Sequence, residues 1–168
     1  EVNDPSHLTK EGQGRVAEAA ETLSAEKIDL IFASDFVRTK ETAEIVGKAL
    51  DIIPQHDARL RELHHGSFHG KNISEYAAYY RENRFNRFDH APEGGETWVD
   101  VRRRMASFFR DIERRYRGKR ILVVSHGDPL WVLGRTLAGF DDNDFRAADV
   151  GASGGSDYPS FAAPRKVT

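Results

Sequence analysis

The sequence predicts an α/β fold, a three-layer α/β/α sandwich around a mostly parallel sheet. Three observations carry that reading. Ile28 to Ala33 and Ile121 to Val124 are short apolar runs of the kind buried on both faces of a parallel sheet. Each is followed at once by a helical pattern, as parallel strands require. Between them lies the longest amphipathic stretch of the chain, from Thr97 to Arg117.

Taken in order, Thr9 can cap a helix whose apolar face is Val16, Ala19, Ala20 and Leu23. Gly12 and Gly14 in its first turns each cost about 1 kcal/mol against Ala. After Ser34-Asp35 a second helix places Thr42, Ile45, Val46, Ala49 and Leu50 on one side, with Arg38 in its first turn. Ile52 and Ile53 read as a short strand, and Ile73, Tyr76, Ala77 and Tyr80 as a short helix. Residues 84–95 read as an insertion or lid loop. Trp98, Val101, Met105, Phe108, Phe109, Ile112 and Tyr116 form the stripe of the long helix, with Thr97 and Asp100 as a capping box and Gly118 as its stop. Pro129 opens a helix with Leu130, Leu133 and Leu137. Asp141 to Asp157 reads as loop, and Tyr158 to Val167 as an edge strand, since Pro159 and Pro164 exclude an interior place.

Composition narrows the function. A chain of 168 residues is one domain's worth, so a single domain over 1–168 is expected. The 25 basic and 27 acidic side chains nearly cancel, which gives no field for nucleic acid or an anionic membrane. In the long helix Arg102 to Arg104, Arg114, Arg115 and Arg117 lie mostly off its stripe and read as a solvated face. Cys is absent, which removes disulfides and thiol chemistry and fits a reducing cytosol. No apolar run approaches the roughly 18 residues of a membrane span, so a cytoplasmic protein is expected.

The chemistry concentrates at strand ends. Val123, Val124, Ser125, His126 and Gly127 read as a buried strand that stops in a polar tip just before a helix. α/β folds place ligands there, and the helix N–H groups and dipole favour an anion such as phosphate. A His that merely caps a turn is the plain alternative. Arg38 sits in a helix first turn, an unfavourable place for a cation, which points to a bound anion; a surface Arg is the plain alternative. Glu62 lies in a glycine-punctuated loop with His64, His65 and His69. Gly66 and Gly70 mark it as loop, and no carboxylate pair completes a ligand set for those histidines with His90, so no metal is expected. No G-x-G-x-x-G follows a strand, which argues against a dinucleotide fold.

Together these stretches resemble the histidine phosphatase superfamily, whose fold is phosphoglycerate mutase-like. Leu8-Thr9 with Gly12-Gln13 is similar to the L-T-x-x-G-x-x-Q helix start, with Gln earlier than in that motif. Ser34, Arg38 and Thr42-Ala43 are similar to S-x-x-x-R-x-x-x-T-A, and Leu60, Glu62, Gly66 and Gly70 to L-x-E-x-x-x-G-x-x-x-G. Pro92 to Glu96 resembles P-x-G-E-S with a residue added, and Ser125-His126-Gly127 resembles S-H-G. The resemblance implies a phosphatase acting on a small phosphorylated substrate through a phosphohistidine, with catalytic Glu62 and His126 and phosphate-binding Arg38, His126 and Gly127. Glu62 would be the general acid and would hold a proton near neutral pH. It implies no metal or organic cofactor, because His and Arg side chains build the pocket. The number of copies in the assembly stays open.

One family signature is absent. The chain contains no Arg-His-Gly, the motif that supplies the nucleophilic His, and the only His before the first helix is His7, which follows no apolar strand. The resemblance therefore implies a nucleophile upstream of Glu1, on a strand lying beside the one that ends at His126. Non-catalytic phospholigand binding and mutase-type phosphoryl transfer are the competing readings. A longer insertion, with Trp and paired Arg, separates the mutases from this chain. Here the corresponding stretch carries Tyr76, Tyr79, Tyr80, Phe85 and Phe88 with Arg81, Arg84 and Arg87, an aromatic and basic lid suited to an ester with an apolar or ring-bearing body.

Overall fold

A computed structural model of the chain describes residues 6–149. They form six α-helices and a three-stranded parallel sheet in the order β2-β1-β3. The expected edge strand from Tyr158 to Val167 lies outside the described residues. The described residues divide into two compact units: one takes residues 6–61 and Phe108–His126, the other Glu62–Ser107 and residues 127–149.

The first unit is the sandwich. Thr9 caps α1 (Lys10–Leu23) by accepting from the Gly12 N–H at 3.0 Å. A Cβ on Gly12 would come within 3.3 Å of that Thr9 hydroxyl, so this glycine leaves room for the cap. β1 (Leu30–Ala33) follows, and α2 (Val37–Leu50) begins after three intervening residues. Ile31 and Ala33 pack with Val16, Ala20 and Leu23 of α1 and Ala43 and Val46 of α2. Phe32, alternating to the other face, meets Phe108 edge-on at 5.5 Å and Tyr116 at 5.8 Å. The sheet thus lies between α1 and α2 on one side and the end of α4 (Trp98–Arg115) on the other.

Two expectations shift in this unit. The second strand, β2, is Gln55–His56 rather than Ile52 and Ile53, and Ile53 is 90% exposed. The buried side of α2 is Thr39, Ala43, Val46 and Gly47, while Ala49 is exposed. The shift follows from Gly47, where a Cβ would lie 2.4 Å from the Ile52 carbonyl. The chain leaving the helix crosses over that point, so the face turns toward it.

The second unit has an aromatic core. α3 (Ile73–Asn83) buries Tyr76 and Tyr80. The first half of α4 opens with the expected capping box: Thr97 N–H donates to Asp100 Oδ2 and Asp100 N–H to Thr97 Oγ1, both at 3.1 Å. α5 (Gly127–Leu137) starts two residues before Pro129 and buries Asp128, Pro129, Trp131 and Val132, whereas Leu137 is exposed. The expected stripe of Leu130, Leu133 and Leu137 is therefore rotated, because Trp131 packs against Trp98 at 4.6 Å, the two rings tilted by 39°. Part of the expected Asp141 to Asp157 loop is helix α6 (Asp142–Asp149), capped by Asp141, whose Oδ1 accepts from the Asn143 and Asp144 N–H groups.

The 84–95 stretch is not simply a lid. Phe88 is 1% exposed and stacks on Phe145 of α6, and Arg87 pairs with Asp149 while lying over the Trp98 ring. Phe85 is the more exposed ring, at 39%, stacked on His90. Chemical denaturation separates the two. Phe88→Ala should cost about 3–5 kcal/mol, the range for emptying an aromatic core site, and Phe85→Ala below about 1 kcal/mol. Equal costs would put Phe88 outside the core.

Candidate active site

In the first unit, β1 and β3 (Ile121–Val124) run in parallel with Ala33 opposite Val124. The Ser34 N–H continues that ladder to the Val124 carbonyl at 2.9 Å. Ser34 and His126 therefore emerge side by side from adjacent strand ends. Both are buried, Ser34 at 0% and His126 at 6% exposure. His126 Nε2 lies 2.8 Å from Ser34 Oγ, and Arg38 Nη2 donates to His126 Nδ1 at 3.0 Å.

The arginine reaches that position because α2 begins at Val37, so Arg38 projects from its first turn. Its guanidinium lies over the Phe36 ring at 5.2 Å, and Phe36 meets the His126 ring edge-on at the same separation. Arg61 covers the Phe36 ring at 5.6 Å and grips Asp35 through two 2.6 Å bonds. The Arg61 hydrogen bonds hold the Asp35 carboxyl below the usual carboxylate range, opposed by partial burial. Arg38 and His126, the two expected phosphate ligands, thus stand together.

The second unit holds the other two predicted residues. Glu62 Oε2 accepts from the Gly127 N–H at 3.1 Å and Oε1 from the Asp128 N–H at 3.3 Å, at the N-terminus of α5. Its Oε1 also accepts from the Leu63 N–H at 2.8 Å. The Gly127 N–H, expected to face phosphate, donates instead to this carboxylate. The reason is the same attraction of helix N–H groups for an anion, here satisfied by a side chain of the protein.

Two motif loops are fastened together around Glu62. Gly66 has φ +56°, and a Cβ there would lie 2.4 Å from the Glu93 carbonyl, so only glycine fits. Ser67 N–H donates to Glu93 O and Glu96 N–H to His64 O, each at 2.9 Å. Arg104 bonds both Glu96 oxygens and reaches the Glu62 carbonyl at 3.2 Å. Read from sequence as part of a solvated face, Arg104 is in fact largely buried and fixes the Glu62 backbone.

The remaining histidines have other surroundings. His64 and His69 stack at 6.0 Å, and His65 packs edge-on against Tyr76 at 4.4 Å. Among the described residues no group of three or more His, Asp or Glu is placed to hold a metal ion. His7 is exposed and pairs with Glu41. No helix among the described residues is long and apolar enough to cross a membrane.

The model of the histidine phosphatase superfamily (branch 1) matches residues 3–155. The chain belongs to that superfamily. Within it, the chain is 29% identical over 147 residues to phosphoserine phosphatase 1 of Hydrogenobacter thermophilus, covering 84% of this chain and 69% of that one. It is 33% identical over 138 residues to a probable phosphoglycerate mutase of Photorhabdus laumondii subsp. laumondii, covering 80% of this chain and 64% of that one. The chain therefore spans about two thirds of the length of these curated relatives. A solved mycobacterial glucosyl-3-phosphoglycerate phosphatase superposes with TM-score 0.75 at 26% identity, over 86% of this chain and 74% of that one. The expected α/β, phosphoglycerate mutase-like fold is the observed one, and the superfamily is one of phosphatases and mutases.

His65 gives this region a pH dependence. Burial pushes its imidazole below the usual 6.5, the nearby Asp128 carboxylate opposing. A depressed folded value means the unfolded chain binds more protons in the interval between the two values. Stability is then complete above about pH 6.5 and falls as pH drops through the folded value. In denaturation curves between pH 7.5 and 5, His65→Gln should flatten that decline. An unchanged slope would contradict it.

Proposed function

We propose that the protein hydrolyses a small phosphate monoester through a phosphohistidine intermediate, with the nucleophilic histidine carried by chain preceding Glu1. The observation that supports this most is the buried Arg38–His126–Ser34 cluster at the ends of β1 and β3. It places a fixed guanidinium and an imidazole where α/β folds bind ligands. The curated relatives named for phosphoserine phosphatase and phosphoglycerate mutase activity agree with phosphoryl chemistry. β3 supports the position of the nucleophile's strand. All four of its residues are only half-buried, and among the described residues it pairs with β1 alone.

In this reading the upstream imidazole attacks phosphorus and the ester P–O bond breaks. The leaving oxygen takes the Glu62 proton while Arg38 and His126 hold the phosphoryl oxygens. Water then attacks the phosphohistidine and gives its proton to the Glu62 carboxylate. The N–P bond breaks, releasing phosphate. Three amide N–H groups hold the Glu62 carboxyl group in place. Hydrolysis is favoured over mutase transfer because the segment from Lys71 to Ala91 has no long insertion. The protein so described acts in the cytoplasm.

A phospholigand-binding module without turnover is the second reading, in which Arg38 and His126 hold a phosphorylated partner without a nucleophile. Assay of the protein from its natural start codon, across a panel of monoesters, decides between them. Hydrolysis with an acid-labile phosphoprotein is expected. Arg38→Ala should lower kcat/KM by roughly 10²–10³, and Glu62→Gln should lower kcat by roughly 10². Phosphate binding with no turnover would overturn the enzyme reading.

A further inference from the structure

We infer that Ser34 is a positioning residue: it fixes His126 as the Nε2–H tautomer and leaves Nδ1 as the ring nitrogen that works beside Arg38. The inference rests on the phosphate-site reading above and adds to it a residue to which the chemistry assigns no role of its own.

The tautomer follows from donor arithmetic. Guanidinium nitrogens donate and cannot accept, so the 3.0 Å contact from Arg38 makes His126 Nδ1 the acceptor. A neutral imidazole then carries its proton on Nε2, which points at Ser34 Oγ 2.8 Å away. Ser34 Oγ is already arranged as an acceptor, since the Phe36 N–H also approaches it, at 3.4 Å.

The serine can hold a ring in place because it is itself held. Its N–H is bonded to Val124 O at 2.9 Å and its carbonyl lies 3.0 Å from Thr39 Oγ1, in a site with no exposure to solvent. Thr39 Oγ1 lies equally close to the Phe36 carbonyl, at 2.9 Å, which ties the strand end to the first turn carrying Arg38. The serine, the arginine and the histidine are thereby set by one short stretch of backbone and one strand pair. When His126 donates to an anion held by Arg38, Nδ1 takes a second proton, and the bond to Ser34 keeps Nε2–H in place in both states.

Ring ¹⁵N NMR of selectively labelled histidine in the folded protein reads this directly, with assignment by His126→Gln. Wild type should show His126 protonated at Nε2. Ser34→Ala should move part of the population to the Nδ1–H form and weaken inorganic phosphate binding about tenfold, the loss of one charge-assisted hydrogen bond. Protonation at Nδ1 in wild type would overturn the inference without any variant. An unchanged tautomer and phosphate affinity in Ser34→Ala would overturn it as well. If neither protein binds phosphate yet the tautomer shifts in Ser34→Ala, the tautomer assignment is supported and the phosphate-site reading is the one that fails.

Discussion

The pairing of β1 with β3 is the constraint on which the rest of the first unit depends. Its register, from Leu30 opposite Ile121 to Ala33 opposite Val124, decides what stands beside what beyond the strand ends. A slip of one residue would break the bond from the Ser34 N–H to the Val124 carbonyl and carry the two strand ends out of line with each other. It would also separate Phe32 from Phe108 and Tyr116, and Ile31 and Ala33 from α1 and α2. Core and site are therefore specified together, since the strand pair that builds the sheet also brings the histidine beside the serine just beyond its end. Ser125 adds a further tie, donating to the Leu60 carbonyl at 2.8 Å just before Arg61.

The second unit holds its acidic residue by a different means. Glu62 is on a loop, where backbone order has to come from specific bonds rather than a sheet. Those bonds run to the α5 N-terminus, to Arg104 through the Glu62 carbonyl, and through the Gly66 crossing to Glu93. The Arg104 pair is only partly exposed, 15% and 28% for the two side chains, so less of its attraction is screened than at an open surface. The carboxylate is positioned on both sides of its peptide.

Much of this was legible in the sequence because it rests on local patterns. The Thr9 cap, the Thr97–Asp100 box, the long α4 stripe and the two strands each declare themselves within a few residues. Arg38 and His126 were legible because they stand just past apolar strands. What escaped was set by tertiary contacts. Gly47 passes so close to Ile52 that it rotates α2, and Trp98 draws Trp131 inward and rotates α5. Phe88 looked like part of a loop, but its burial depends on α6, a helix hidden in an Asp-rich stretch that read as coil. Arg104 looked solvated because its partner Glu96 belongs to a loop whose path the sequence does not display.

The central claim is that Arg38 and His126, aligned by the β1–β3 register, form the anion site of this chain. Titration with inorganic phosphate, followed by backbone and arginine side-chain NMR, tests it most directly. The account predicts saturable shifts centred on Ser34, Arg38 and His126, with the Arg38 guanidinium among the largest. Saturable binding that leaves those three unmoved and perturbs other residues would contradict it.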